Sequence, residues 1–112
     1  MNEELNALCT QLLAQARLHN AVATAALPDG TRLFIYPLER GVLLALGASA
    51  HGAQGPRAET LLRRRGADLR RFGAWLPALF ADGTCYLVRR CTDSEANGLH
   101  DDEWLAAGEL LR

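Results

Sequence analysis

The residues able to do chemistry in this chain are three cysteines, three histidines and one acidic run. Cys9, Cys85 and Cys91 form no C-x-x-C pair, so neither a zinc ribbon nor a redox motif is written among them. A nucleophilic thiol needs a base and a group that orients the base. His19, His51 and His100 are scattered, with no H-x-x-x-H and no His–Cys spacing that pairs one with a thiol. Asp101-Asp102-Glu103 carries metal-ligating side chains, but the start of a helix explains it, and the alternating oxygen ligands of a calcium loop are missing. Gly47, Gly52 and Gly55 do not make a G-x-G-x-x-G phosphate loop. The expectation is a protein with no catalytic residue, no metal and no cofactor. An enzymatic or ligand-binding alternative rests on Cys85 with His51 or His100 in a pocket.

One charge cluster stands out, Arg63-Arg64-Arg65 with Arg70-Arg71. It suits an exposed helix face or, as an alternative, a nucleic-acid contact. Phe34 and Tyr36 are two apart and share a strand face, as a base-stacking platform requires, and are equally suited to core or partner surface. The balance of 12 basic and 13 acidic side chains leaves a net charge of -1, so no global field favours nucleic acid or an anionic membrane. All the basic residues are Arg. Nucleic acid is therefore not the expected partner. No apolar stretch approaches the ~20 residues of a membrane span. The acidic start Met1-Asn2-Glu3-Glu4 is unlike a secretory signal, and the odd cysteine count fits a reducing cytosol.

The elements that must position these residues fit one domain over residues 1–112, long enough to bury roughly two-thirds of its unfolded surface. Leu5, Leu8, Cys9, Leu12, Leu13 and Ala16 follow the spacing of one helical face, predicting a helix from Asn2 to His19 with Asn2 as its cap. Ala21–Leu27 leads to a Pro28-Asp29-Gly30 turn, a strand at Thr31–Tyr36 and another at Val42–Leu46. The short connections predict an antiparallel meander. Ala48–Pro56 reads as a loop and Arg57–Arg65 as a helix ending near Gly66. Leu69–Phe72 continues the helix or begins a strand. Gly73–Phe80 reads as a strand in which Pro77 demands an edge or a bulge. Asp82-Gly83 turns into a strand at Thr84–Cys91. Thr92–His100 reads as a polar loop. The final helix runs Asp102–Leu111, capped by Asp101, with Trp104, Leu105, Gly108 and Leu111 inward. The class is α+β, an antiparallel sheet with helices packed on it in the order α-β-β-β-α-β-β-α. Trp75, close to Pro77, is expected at an interface, where Trp is enriched.

This pattern resembles a known family. An amphipathic N-terminal helix is followed by Leu27-Pro28-Asp29-Gly30 and two apolar strands, a Leu61-Leu62 helix, an Ala81-Asp82-Gly83 hairpin into Tyr86-Leu87-Val88, and a terminal Leu/Trp helix. It is similar to the class I type III secretion chaperones, the small Tir-chaperone-like proteins of Gram-negative bacteria. The resemblance covers nearly the whole chain and lies in element order rather than in a motif. It implies a cytoplasmic, non-enzymatic dimer, a homodimer or a heterodimer with a second small chaperone. Such a protein binds the N-terminal segment of a secreted effector or secretion regulator and keeps it export-competent. By position the resemblance implies a dimer interface at Leu61, Leu62, Trp75 and Leu79, and a partner surface at Leu13, Leu18, Phe34 and Tyr36. The chain is shorter and less acidic than many members.

Overall fold

The structure, a computed structural model, describes residues 2–27, 30–47, 58–81 and 84–111. Helix α1 spans Asn2–His19 and buries Cys9, Leu12, Leu13 and Ala16 on one stripe, with Glu3 and Glu4 at its positive end. Asn20 stops it in the left-handed region (φ 47°), and the Ala21 N–H donates back to the Ala16 carbonyl at 3.2 Å. That is a Schellman ending, with Asn where Gly is commoner.

Strands β1 (Ala23–Ala26), β2 (Arg32–Pro37) and β3 (Val42–Gly47) form the expected antiparallel meander. Gly30 lies within the described residues; Pro28, Asp29, the Ala48–Pro56 loop with His51, and the Asp82-Gly83 turn lie outside them. The β2–β3 turn closes with the Leu38 N–H donating to the Gly41 carbonyl at 3.1 Å. Gly41 has φ 84°, and a Cβ there would stand 2.4 Å from the Cys91 carbonyl oxygen, so only glycine fits.

Helices α2 (Ala58–Ala67) and α3 (Leu69–Phe72) follow, then β4 (Leu76–Leu79), β5 (Cys85–Cys91), α4 (Asp93–Asn97) and α5 (Asp101–Leu111). The five strands run β1-β2-β3-β5-β4, every neighbouring pair antiparallel. This is the α+β fold and order read from the sequence, with two short helices added.

Four local expectations need correction. Gly66 lies inside α2 rather than at its end, and the break comes at Asp68, whose side chain accepts the Arg71 N–H and starts α3. Gly73 and Ala74 belong to the turn after α3, where the Trp75 N–H donates to the Phe72 carbonyl at 3.0 Å, so the strand starts later than expected. The stretch Thr92–His100 is not all loop. The Thr92 hydroxyl accepts the Glu95 N–H at 3.1 Å and the Glu95 carboxylate accepts the Thr92 N–H at 3.0 Å, a capping box that opens α4. On α5, Leu105 and Gly108 point outward while Trp104, Ala106, Ala107 and Leu110 are buried.

Register divides the sheet into two faces. Ile35, Leu44 and Arg89 share one row; Leu33, Leu46 and Leu87 share the next. These rows join the cluster built with Cys9, Leu12 and Leu13 of α1 and with Ala96, Leu99 and Trp104. The helices therefore lie on this face. The alternate residues point the other way. Thr24, Phe34, Ala45, Val88 and Leu76 form one row there, and Ala26, Arg32, Gly47, Tyr86 and Ala78 the next. No described helix covers that face.

Candidate binding surfaces

Among the described residues, those with intrinsic chemistry do not converge. Cys9 and Cys91 are buried, and burial pushes the Cys9 thiol up to about 12. Burial also raises the Cys91 thiol, against the lowering pull of Arg89, and raises that of the half-exposed Cys85. His19 and His100 are exposed, and no hydrogen bond joins either to a described cysteine. Among the described residues no group of three or more His, Cys, Asp or Glu side chains is placed to hold a metal ion. No described helix is long and apolar enough to cross a membrane.

The arginine cluster is largely structural. Arg64 donates to the Glu109 and Leu110 carbonyls, capping the negative end of α5. Arg65 donates to the Trp75 and Gly73 carbonyls at 2.9 and 3.0 Å, fixing the entry to β4. Arg71 meets Glu109 at 2.6 Å and Arg63 meets Glu59 at 3.1 Å. Arg64 and Arg71 thus tie α2 and α3 to α5, Arg65 ties α2 to the turn before β4, and Arg63 pairs within α2.

Arg89 is the one buried charged side chain among the described residues. It pairs with Glu103 at 2.7 Å and Glu95 at 3.5 Å and lies over the Trp75 ring at 5.7 Å. Glu103, from the acidic run, is therefore a structural counter-ion that ties α5 to β5. The Thr92 N–H and hydroxyl hold the Glu95 carboxyl below its usual range.

Trp75 sits in this same assembly and not at a surface. It is 1% exposed, its ring lies 6.2 Å from Trp104, and its Nε1 donates to the Glu103 carbonyl at 3.1 Å. A buried indole needs a polar partner, and α5 supplies one here. Leu61 and Leu13 are buried in the same core. These three residues therefore offer no surface on the single chain, contrary to the roles that the resemblance implied. Of the remaining five, Leu18 and Leu79 are the most open, at 79% and 71%, and Leu62 is also exposed. Phe34 and Tyr36 lie half-buried on the bare sheet face.

The exposed side chains belong to two unlike sheet edges. On the β1 side of the chain the exposed apolar residues are Leu18, in the last turn of α1, and Val22, just before β1. Around β4 stand Leu76 and Leu79, with Leu62 on α2, Leu69 on α3 and Leu105 on α5, elements that touch in succession. Sequence reading missed Val22, Leu69, Leu76 and Leu105. Leu69 lay in a stretch of undecided structure, and Leu105 was assigned to the wrong side of its helix.

The edges also differ in backbone. The Leu27 N–H donates to the Thr31 carbonyl within the β1–β2 hairpin, so by alternation Ala23 and Ala25 bond inward. Thr24 and Ala26 then turn an N–H and a carbonyl each to the outside. At the other edge the Phe80 N–H donates to the Thr84 carbonyl, so Leu76 and Ala78 bond inward while Pro77 and Leu79 face out. Pro77 has no N–H to offer. The proline thus sits where it costs the sheet no bond and removes a donor from the free edge, the edge position anticipated for it.

Comparison with models of protein families, with curated proteins and with solved structures gives no match for this chain.

Proposed function

We propose that this chain is a type III secretion chaperone, which binds the N-terminal segment of a secreted effector or secretion regulator and keeps it export-competent. The resemblance in element order motivates the reading, and one structural observation carries it: the sheet ends in two edges of opposite character. The β1 edge offers outward donors and acceptors with small side chains, beside Leu18 and Val22. An extended client segment adds there as a sixth strand, held by main-chain bonds whatever its sequence. Its apolar side chains rest on Leu18 and toward Phe34 and Tyr36. The β4 edge offers leucines instead, and a second copy or a second small chaperone covers Leu62, Leu69 and Leu79 there. A two-fold arrangement leaves both β1 edges free at the outside of the pair.

The test is a tagged pull-down from the native bacterium, followed by limited proteolysis and mass spectrometry. One co-purified protein, protected near its own N-terminus and no longer secreted when this gene is deleted, supports the reading. A chain recovered alone, or a partner whose secretion is unaffected, overturns it.

A further inference from the structure

The face of the sheet that no described helix covers is apolar, and the charge at its strand positions has one sign. Phe34, Tyr36, Leu43 and Val88 lie on it half-buried. Its charged strand positions are Arg32 and Arg90, and no acidic residue occupies a strand position on this face. Neither arginine has an ion-pair partner among the described residues. Arg90 borders an open recess of about 670 Å³ in which Asp93 is held by Arg17 at 2.8 Å and Glu95 by Arg89. Glu39 lines the same recess and is not within ion-pair distance of Arg90.

We infer that this face docks an amphipathic helical segment of a partner, apolar along one stripe, with acidic residues about three turns apart that meet Arg32 and Arg90. The inference deepens the proposed function and rests on this chain holding a partner segment. Arg90 lies four residues along β5 from Tyr86, which is in the same row as Arg32, and β5 is two strands from β2. With a rise of ~3.3 Å per residue and a spacing of ~4.8 Å between strands, the two arginines stand roughly 16 Å apart. A helix covers that distance in about eleven residues, and residues eleven apart return to the same helical side. In an extended chain the same distance takes about five residues, an odd step that turns one acid away from the sheet. The sheet already carries helices on its other face, so a docked helix buries apolar surface on both sides.

Charge disfavours a second copy here, because a two-fold contact sets identical surfaces together and would bring arginine toward arginine. Single-stranded nucleic acid is disfavoured by the rings themselves. Tyr86 is buried, stacked on Phe80 at 4.2 Å and met edge-on by Phe34 at 5.4 Å, so the rings pack on one another instead of standing free for bases.

The test uses two fluorescent helical peptides of about 18 residues with the same apolar stripe, one carrying Glu about eleven residues apart and the other Lys. Anisotropy on the full chain at low salt is expected to favour the Glu peptide roughly tenfold. The double variant Arg32→Glu/Arg90→Glu should reverse that preference, and Arg90→Glu alone should shrink it, with unchanged circular dichroism. Equal binding of both peptides, no binding of either, or an unreversed preference overturns the inference. So does displacement of the peptide by a single-stranded oligonucleotide or by self-association. A client recovered from the bacterium whose protected segment lacks paired acids would sink this inference while leaving the chaperone reading intact. A reversible peptide preference with no secreted client recovered would do the opposite.

Discussion

The two edges of the sheet solve the same problem in opposite ways. A free strand edge is a template for any passing strand, and proteins blunt it or use it. At β4 the outward Pro77 withholds an N–H and the exposed contacts are leucines. At β1 the outward residues are Thr24 and Ala26, with donors intact and side chains too small to obstruct. The contrast lies in the currency of recognition. Side-chain surface rewards a matching, preformed shape, such as another folded chain. Open backbone rewards any segment that can be extended, which suits a client whose sequence is not fixed.

The sharpest way to break this contrast is at β4. Leu62→Asp with Leu79→Asp should raise the dissociation constant of the dimer by a hundredfold or more, because each change removes about 1.5–3 kcal/mol of buried leucine and adds a charge to desolvate. Light scattering should then report 12.2 kDa where a dimeric parent chain would give twice that mass. Both residues are exposed in the single chain, so its far-UV circular dichroism should hold, while the melting temperature falls only by what association had contributed. An unchanged mass would remove β4 from the interface.

At β1 the corresponding change is Thr24→Pro. The N–H it deletes faces outward, so the fold loses no ladder bond, while an added strand loses one. One net main-chain bond of about 1 kcal/mol, plus the steric cost of the ring, should weaken client binding about tenfold in a titration calorimeter. Ala25→Pro is the control, because its N–H bonds to β2 and the variant should unfold at lower denaturant. The reverse experiment at the other edge is gentler. Pro77→Ala restores an outward donor at β4 and should strengthen edge pairing there about fivefold, seen as a lower dimer dissociation constant in sedimentation. If Pro77→Ala changes nothing, the proline is not guarding that edge.

What the sequence shows and what it hides follows from the range of each signal. Helix α1 was legible because its apolar period runs through about three turns, and the β meander because its turns are short. Pro77 alone restricted β4 to an edge or a bulge, since a missing N–H limits where a strand can lie, and the sheet order resolves it as an edge. Helix α4 was hidden, because five residues carry no period and its capping box lies inside a polar stretch. The burial of Trp75 was hidden for a different reason. Its partners, Trp104, Arg89 and the Glu103 carbonyl, come from elements far along the chain, and nothing near Pro77 announces them. The exposure of the candidate surface residues was half legible. Leu18, Leu62, Leu79, Phe34 and Tyr36 are open or half-open, whereas Leu13 and Leu61 fill the core. On a helix, adjacent leucines such as Leu61 and Leu62 point about 100° apart, and only packing decides which one is covered.

The smallest effect offers the finest discrimination between the edges. Cys85 pairs with Leu79 across β4 and β5 and is half-exposed, whereas Cys9 and Cys91 are buried. A maleimide probe should therefore label Cys85 alone in the folded chain. Burial raises the Cys85 thiol above its ordinary value, so the reactive thiolate is scarce at neutral pH. Labelling should accelerate nearly tenfold for each pH unit until that raised value is approached, because the thiolate fraction rises in that proportion. Cys9, pushed up to about 12, should stay silent through this range. A second copy seated on Leu79 would shield Cys85, so the rate should fall severalfold as protein concentration rises. A strand added at β1 lies at the far end of the sheet order, and saturating client should leave the rate unchanged. Client that slows Cys85 labelling at fixed dimer fraction would mean that the β4 edge, and not the β1 edge, receives it.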